Sequence, residues 1–114
     1  MTNQILARAF TALADPTRRE IFERLAQGPR AVGELADDLP VSRPAVSQHL
    51  KVLREARLVV DRAAGRQRIY ELDPQGLEGL RDYLDGFWQR SMHAFQQAAE
   101  TTPSAAPPSR QEEA

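Results

Sequence analysis

Between Val41 and Arg68 the chain concentrates side chains suited to reading and holding a polyanion. At about 100° per residue, Arg43, Pro44, Ser47, Gln48 and Lys51 fall mostly on one side of a helical run that Ser42 caps. Val46, Leu50 and Leu53 fall on the other side. An Arg fork suits the edge of guanine and a Gln amide that of adenine. The Ser42 hydroxyl and the first-turn N–H groups can meet a phosphate, helped by the helix dipole. Just upstream, Val32, Leu35, Ala36 and Leu39 give a shorter helix its buried face, and Pro40 closes it. Two such helices joined by a tight turn, the second with a polar outer face, form the helix-turn-helix pattern. Its second helix enters the DNA major groove.

The charge distribution supports that reading. The whole chain carries a formal charge of −1. Yet Arg43, Lys51, Arg54, Arg57, Arg62, Arg66 and Arg68 face only Glu55 and Asp61 within the segment from Val41 to Arg68. From Asp73 onward the balance reverses, with Arg81, Arg90 and Arg110 against Asp73, Glu78, Asp82, Asp85, Glu100, Glu112 and Glu113. A local basic face inside a neutral total is what phosphate contact needs.

The remaining elements must position this face. Ile5, Leu6, Ala9, Phe10 and Leu13 predict a first helix over about 3–13. Asp15-Pro16 reads as cap and first residue of a second helix that stops at Gly28-Pro29. After the recognition helix, which runs to about Ala56, LVVDR and RQRIYEL flank a Gly-containing turn and predict a two-stranded hairpin. Leu58, Val60, Tyr70 and Leu72 are expected to face inward, with Arg66 at the tip and Arg62 and Arg68 on the arms. A basic hairpin beside a recognition helix is a wing, suited to backbone or minor groove.

Asp73-Pro74 starts a last helix to about Ala99. Its apolar stripe of Leu77, Leu80, Leu84, Phe87, Ser91 and Ala94, widened by Tyr83, Trp88, Met92 and Phe95, is broader than a domain this small can cover. The expected seam with a second subunit therefore comprises Ile5, Leu6, Phe10, Leu80, Tyr83, Leu84, Phe87, Trp88, Ser91 and Phe95. Completion of the monomer core by the same aromatics is the alternative.

At 114 residues, with 41% hydrophobic and 27% charged residues, the chain fits one modest domain. That domain is expected over 1–100, with residues 101–114 a disordered tail poor in large apolar side chains. No apolar run approaches the roughly 18 residues of a membrane span and no signal peptide opens the chain, so a cytoplasmic protein is the expectation. The absence of Cys excludes disulfides and thiolate metal sites.

Taken together, ALADPTRREIFERL at Ala12 to Leu25, GELADDLPVSRPAVSQHLKVLREARLV and GRQRIYEL at Gly65 to Leu72 carry a resemblance. Over roughly Ile5 to Glu100 the chain resembles the ArsR-type winged helix-turn-helix transcriptional regulators, in the subgroup without metal-sensing cysteines. The resemblance implies a mainly α fold with a small two-stranded β wing: four helices, two strands and a fifth helix, in that order. It also implies a homodimer, most often a promoter-occluding repressor. Three positions depart from the pattern. Ala56-Arg57 replaces the usual Ala-Gly, so Arg57 must take an unfavourable backbone or the helix must end differently. Pro40 replaces a Gly in the turn and stiffens it. Ala31 stands where Ser or Thr would cap the third helix, so a weak start is expected there.

No metal site and no cofactor are expected. His93 has Gln96 rather than a carboxylate after it, and His49 in the recognition helix is assigned to packing or to the DNA backbone. Asp37-Asp38 reads as a solvated helix end. No catalytic residues are assigned: Ser42, Ser47, His49, Asp37 and Asp38 all sit on the helix-turn-helix, with no Gly-rich phosphate loop beside them.

The expected partner is a double-stranded operator, an imperfect palindrome with half-sites about 10 base pairs or a small multiple apart. Arg43, Ser47 and Gln48 would read bases; Lys51, Arg62, Arg66 and Arg68 would hold phosphates or the minor groove. The releasing signal stays open between a small molecule near Trp88 and Phe87, a partner protein, and autoregulation without ligand. The alternatives in function are a winged helix that binds only protein, through Trp88, Phe87 and Tyr83, and a metal-responsive repressor.

Overall fold

The computed structural model describes residues 2–101; the tail expected from Thr101 to Ala114 lies, beyond its first residue, outside the described residues. The elements are α1 (Thr2–Ala14), α2 (Pro16–Leu25), β1 (Arg30–Ala31), α3 (Val32–Asp38), α4 (Arg43–Glu55), β2 (Val59–Ala64), β3 (Gln67–Leu72) and α5 (Pro74–Thr101). They divide into two compact units, one through Leu80 and one from Arg81 onward. The first holds the helix-turn-helix and the sheet.

Local chemistry sets the boundaries. Asp15 caps α2 by accepting the Arg18 N–H at 2.9 Å, and Pro16 follows as a first residue whose missing N–H costs nothing there. The end of α1 is satisfied from outside the helix. Arg18 Nε donates to the Ala12 carbonyl and Arg19 Nη1 to that of Leu13, each at 2.8 Å. Such groups would otherwise be left without partners at a helix terminus. Ser42 caps α4 by accepting the Ala45 N–H at 3.2 Å.

The core closes around the helix-turn-helix. Ile21, Leu35, Val46, Leu50 and Leu53 have no exposed surface, and Leu58 and Val59 are almost as enclosed. Truncating any one of these leucines to Ala should cost about 2–5 kcal/mol. Arg24 ties α2 to α3 through Asp38 at 3.2 Å.

Two expectations about the sheet are corrected. The hairpin gains a third strand: β1 pairs with β3, Arg30 opposite Tyr70 and Ala31 opposite Ile69, giving the order β1-β3-β2. A two-residue strand carries no readable alternation. It also anchors the start of α3, which has no side-chain cap. The Ala31 backbone is held in the sheet, and its N–H donates to Glu34 Oε1 at 2.8 Å. The second correction is Val60, which is 37% exposed, whereas Val59 is 1% exposed and faces the core. Leu58 belongs to the turn rather than the strand, so the period-2 alternation begins at Val59. Tyr70 and Leu72 do pack on the core.

Candidate nucleic-acid interface

α4 divides along its axis. Ser42, Arg43, Pro44, Ser47, Gln48 and Lys51 are exposed, opposite the enclosed Val46, Leu50 and Leu53. His49 is half-buried at the margin. With Arg18, Gln48, Lys51, Val52 and Glu55 it lines a shallow depression of about 350 Å³. Sequence reasoning missed Arg18, whose neighbourhood depends on how α2 crosses α4. The Arg43 guanidinium rests against α3, where a Cβ built on Gly33 would lie 3.3 Å from Arg43 Cζ. The Asp15 carboxyl is held below its ordinary range, first by the N–H of Arg18 and then by the charges of Arg18 and His49.

A Schellman-type turn delivers the wing from this helix. The Leu58 N–H donates to the Leu53 carbonyl at 3.0 Å and the Arg57 N–H to that of Arg54 at 2.9 Å. Arg57 lies at φ 65°, the only non-glycine with positive φ among the described residues. The departure from Ala-Gly is thus resolved by strain rather than by a different ending. Beyond it, β2 and β3 pair in register from Val59–Leu72 to Ala64–Gln67. A two-residue loop, Gly65-Arg66, joins them. Gly65 takes φ 64°, the left-handed value that tight hairpin loops need first and that glycine adopts without strain.

The wing arginines are not equivalent. Arg66 at the tip is exposed and makes no hydrogen bond or ion pair among the described residues. Arg62 is engaged across the strands by Glu71 at 3.4 Å. Arg68 Nε donates to Asp61 Oδ2 at 2.8 Å. The same carboxylate takes Arg54 Nη1 from the end of α4 at 3.4 Å. Asp61 is only 10% exposed. Its carboxyl is held below the usual range, foremost by the Arg68 hydrogen bond and further by the charges of Arg68 and Arg54. Sequence reasoning counted Asp61 as a subtraction from net charge and missed its place between two cations. Fixing the hairpin register would have revealed it, because Arg68 is then the diagonal neighbour of Asp61.

The chain belongs to the ArsR family of bacterial regulatory proteins. The family model matches residues 15–60, from the cap of α2 into the second strand of the wing sheet. The HTH-type transcriptional regulator Rv2034 of Mycobacterium tuberculosis is 68% identical over 90 residues, covering 79% of this chain and 84% of that protein. Among solved structures, an ArsR-like transcriptional regulator from Rhodococcus sp. RHA1 matches with TM-score 0.70 and 35% identity, over 86% of this chain and 95% of its own. A second, from Mycobacterium bovis, is described as a homodimeric winged helix-turn-helix DNA-binding domain and a possible ArsR-family regulator. It matches with TM-score 0.63 and 26% identity, over 80% of this chain and 84% of its own. This protein is accordingly a winged helix-turn-helix transcriptional regulator.

The residues expected at a subunit seam divide by unit. In the first, Ile5 and Phe10 are exposed, but Leu6 is 8% exposed and Leu80 half-buried. Leu6 is thus largely buried within its own chain, one turn from the buried Ala9 of α1. In the second unit, Tyr83, Leu84, Phe87, Trp88 and Phe95 are exposed, Trp88 by 61%. Tyr83 and Phe87 stack at 6.5 Å between centroids, and Ser91 is half-buried. Among the described residues no helix is long and apolar enough to cross a membrane. No group of three or more His, Cys, Asp or Glu that could hold a metal is found among them.

Proposed function

We propose that this regulator is a homodimeric repressor that acts in the cytoplasm on an imperfect palindromic operator, α4 reading bases and the wing holding the flanking backbone. One observation carries this reading: α4 has a wholly enclosed apolar face and, opposite it, a continuous exposed polar face of Ser42, Arg43, Ser47, Gln48 and Lys51. Any surface helix is polar on its outer side; what favours DNA here is the makeup of this face, with Arg43, Ser47 and Gln48 gathered in the N-terminal half that a groove-reading helix presents to base edges. Arg66, exposed and unengaged at the loop, suits a phosphate or a minor groove. Pairing of subunits is supported by the exposed apolar stripe of α5, since monomers rarely leave so many large apolar side chains in water, and by the homodimeric M. bovis relative. The reading needs no catalytic step and no cofactor.

A mobility-shift titration against the DNA upstream of the protein's own gene, beside sedimentation of the free protein, tests it. A dimer that retards this fragment in preference to a scrambled one is expected. A monomer, or a protein indifferent to both fragments in dilute salt, refutes it and leaves the protein-binding alternative, in which Trp88, Phe87 and Tyr83 contact another protein.

A further inference from the structure

Asp61 is out of place in a phosphate-holding wing. An acid on the hairpin arm subtracts from the charge the wing exists to provide, yet this one is 10% exposed and engaged by two cations from different elements. Arg54 comes from the last turn of α4, Arg68 from β3, and Asp61 itself from β2. The carboxylate therefore bolts the wing to the recognition helix. It takes Arg68 through Nε, leaving both terminal nitrogens of a side chain that is 57% exposed. A guanidinium so held can still donate to a phosphate, but only in the direction the carboxylate leaves open.

We propose that Asp61 is a specificity-determining positioning residue: by neutralising part of the Arg54–Arg68 charge and fixing the wing on α4, it weakens sequence-blind adhesion to DNA and couples wing contacts to correct seating of the recognition helix. This rests on the DNA-binding reading above. Two cations and one anion thus have distinct roles: Arg66 adheres without constraint, Arg68 adheres only in register, and Asp61 enforces the difference. Without the carboxylate, Arg54 and Arg68 become two independent cations that can swing to whichever phosphates are near, whatever the base sequence.

The experiment compares wild type, Asp61→Asn and Asp61→Asn/Arg68→Gln on two labelled probes, a random-sequence 30-base-pair duplex and a duplex selected by the wild-type protein from a randomised pool. Affinity is measured from low to physiological salt. Asn keeps the shape and an acceptor oxygen for both arginines, so the fold should survive. Each further phosphate that the protein neutralises steepens the logarithmic salt dependence by about 0.9 and tightens binding about tenfold at low salt. Asp61→Asn should therefore bind the random duplex roughly 3- to 10-fold more tightly, with a steeper slope. The selected duplex should benefit less, so that the ratio between the two falls. The double variant should lose the added affinity for random DNA.

Equal tightening on both probes, unchanged binding to random DNA, or an increase that survives loss of Arg68 would overturn the proposal. Weakened binding to both probes with a lower melting temperature would make Asp61 merely structural, and so overturn it too. Failure of the wild type itself to bind or select any duplex would sink the DNA-binding reading, and this proposal with it.

Discussion

Arg57 offers the sharpest test of how the wing is joined to the recognition helix. It sits at φ 65°, one residue past the cap of α4, in a turn closed by hydrogen bonds from its own N–H and from that of Leu58. An L-residue held left-handed costs about 1–2 kcal/mol. Replacement by Gly removes that strain but loosens the unfolded chain, offsetting about 0.4–1 kcal/mol. The net expectation for Arg57→Gly is a stabilisation of about 0.5–1 kcal/mol, or roughly 2–8 °C in melting temperature for a domain of this size. Arg57→Ala is the control. The side chain is exposed, and Ala keeps the backbone problem, so it should stay within about 0.5 kcal/mol of wild type. Thermal melts by circular dichroism at one fixed protein concentration suffice, concentration being held because association would shift the midpoint. If Ala stabilises as much as Gly, the effect comes from the lost side chain and the strain argument is wrong.

Other expectations follow from the same geometry. Gly76, in the first turn of α5, leaves no room for a side chain: a Cβ there would overlap the Arg57 carbonyl oxygen and lie 2.9 Å from its carbon. Gly76→Ala should lower stability by about 1–3 kcal/mol, read by urea denaturation. Gln48→Ala should relax base preference at one operator position at a cost of about 1–3 kcal/mol, while Arg66→Ala should weaken binding to all sequences alike and flatten the salt dependence. Identical uniform losses from both would refute the division between reading and holding. Asp15 and Asp61 both have folded pKa values below the ordinary carboxylate value of 3.8. Their stabilisation is therefore fully present above the unfolded pKa and is lost as pH falls through the lower folded values. Melting temperature followed down through the acid range should fall more shallowly for Asp15→Asn and Asp61→Asn than for wild type, and an unchanged acid limb would refute the assignment.

The linear order of residues determined the helix-turn-helix. Val32, Leu35, Val46, Leu50 and Leu53 recur at helical spacing, Ser42 and Asp15 are local caps, and Pro16, Pro40 and Pro74 punctuate. Each acts within a few residues of itself, so helical periodicity and turn chemistry disclose it. The polar face of α4 was legible for the same reason, because the side opposite a buried stripe is fixed by about 100° per residue. Tertiary structure alone decided the rest. The strand β1 exists only because β3 offers an edge, Arg18 and Arg19 complete α1 from across a turn, and Val59 rather than Val60 faces inward because a Schellman turn consumes Leu58. The electrostatics of the wing were hidden too. Net charge sums over residues, but attraction falls with distance, so only the register that sets Asp61 between Arg54 and Arg68 tells a held cation from a free one.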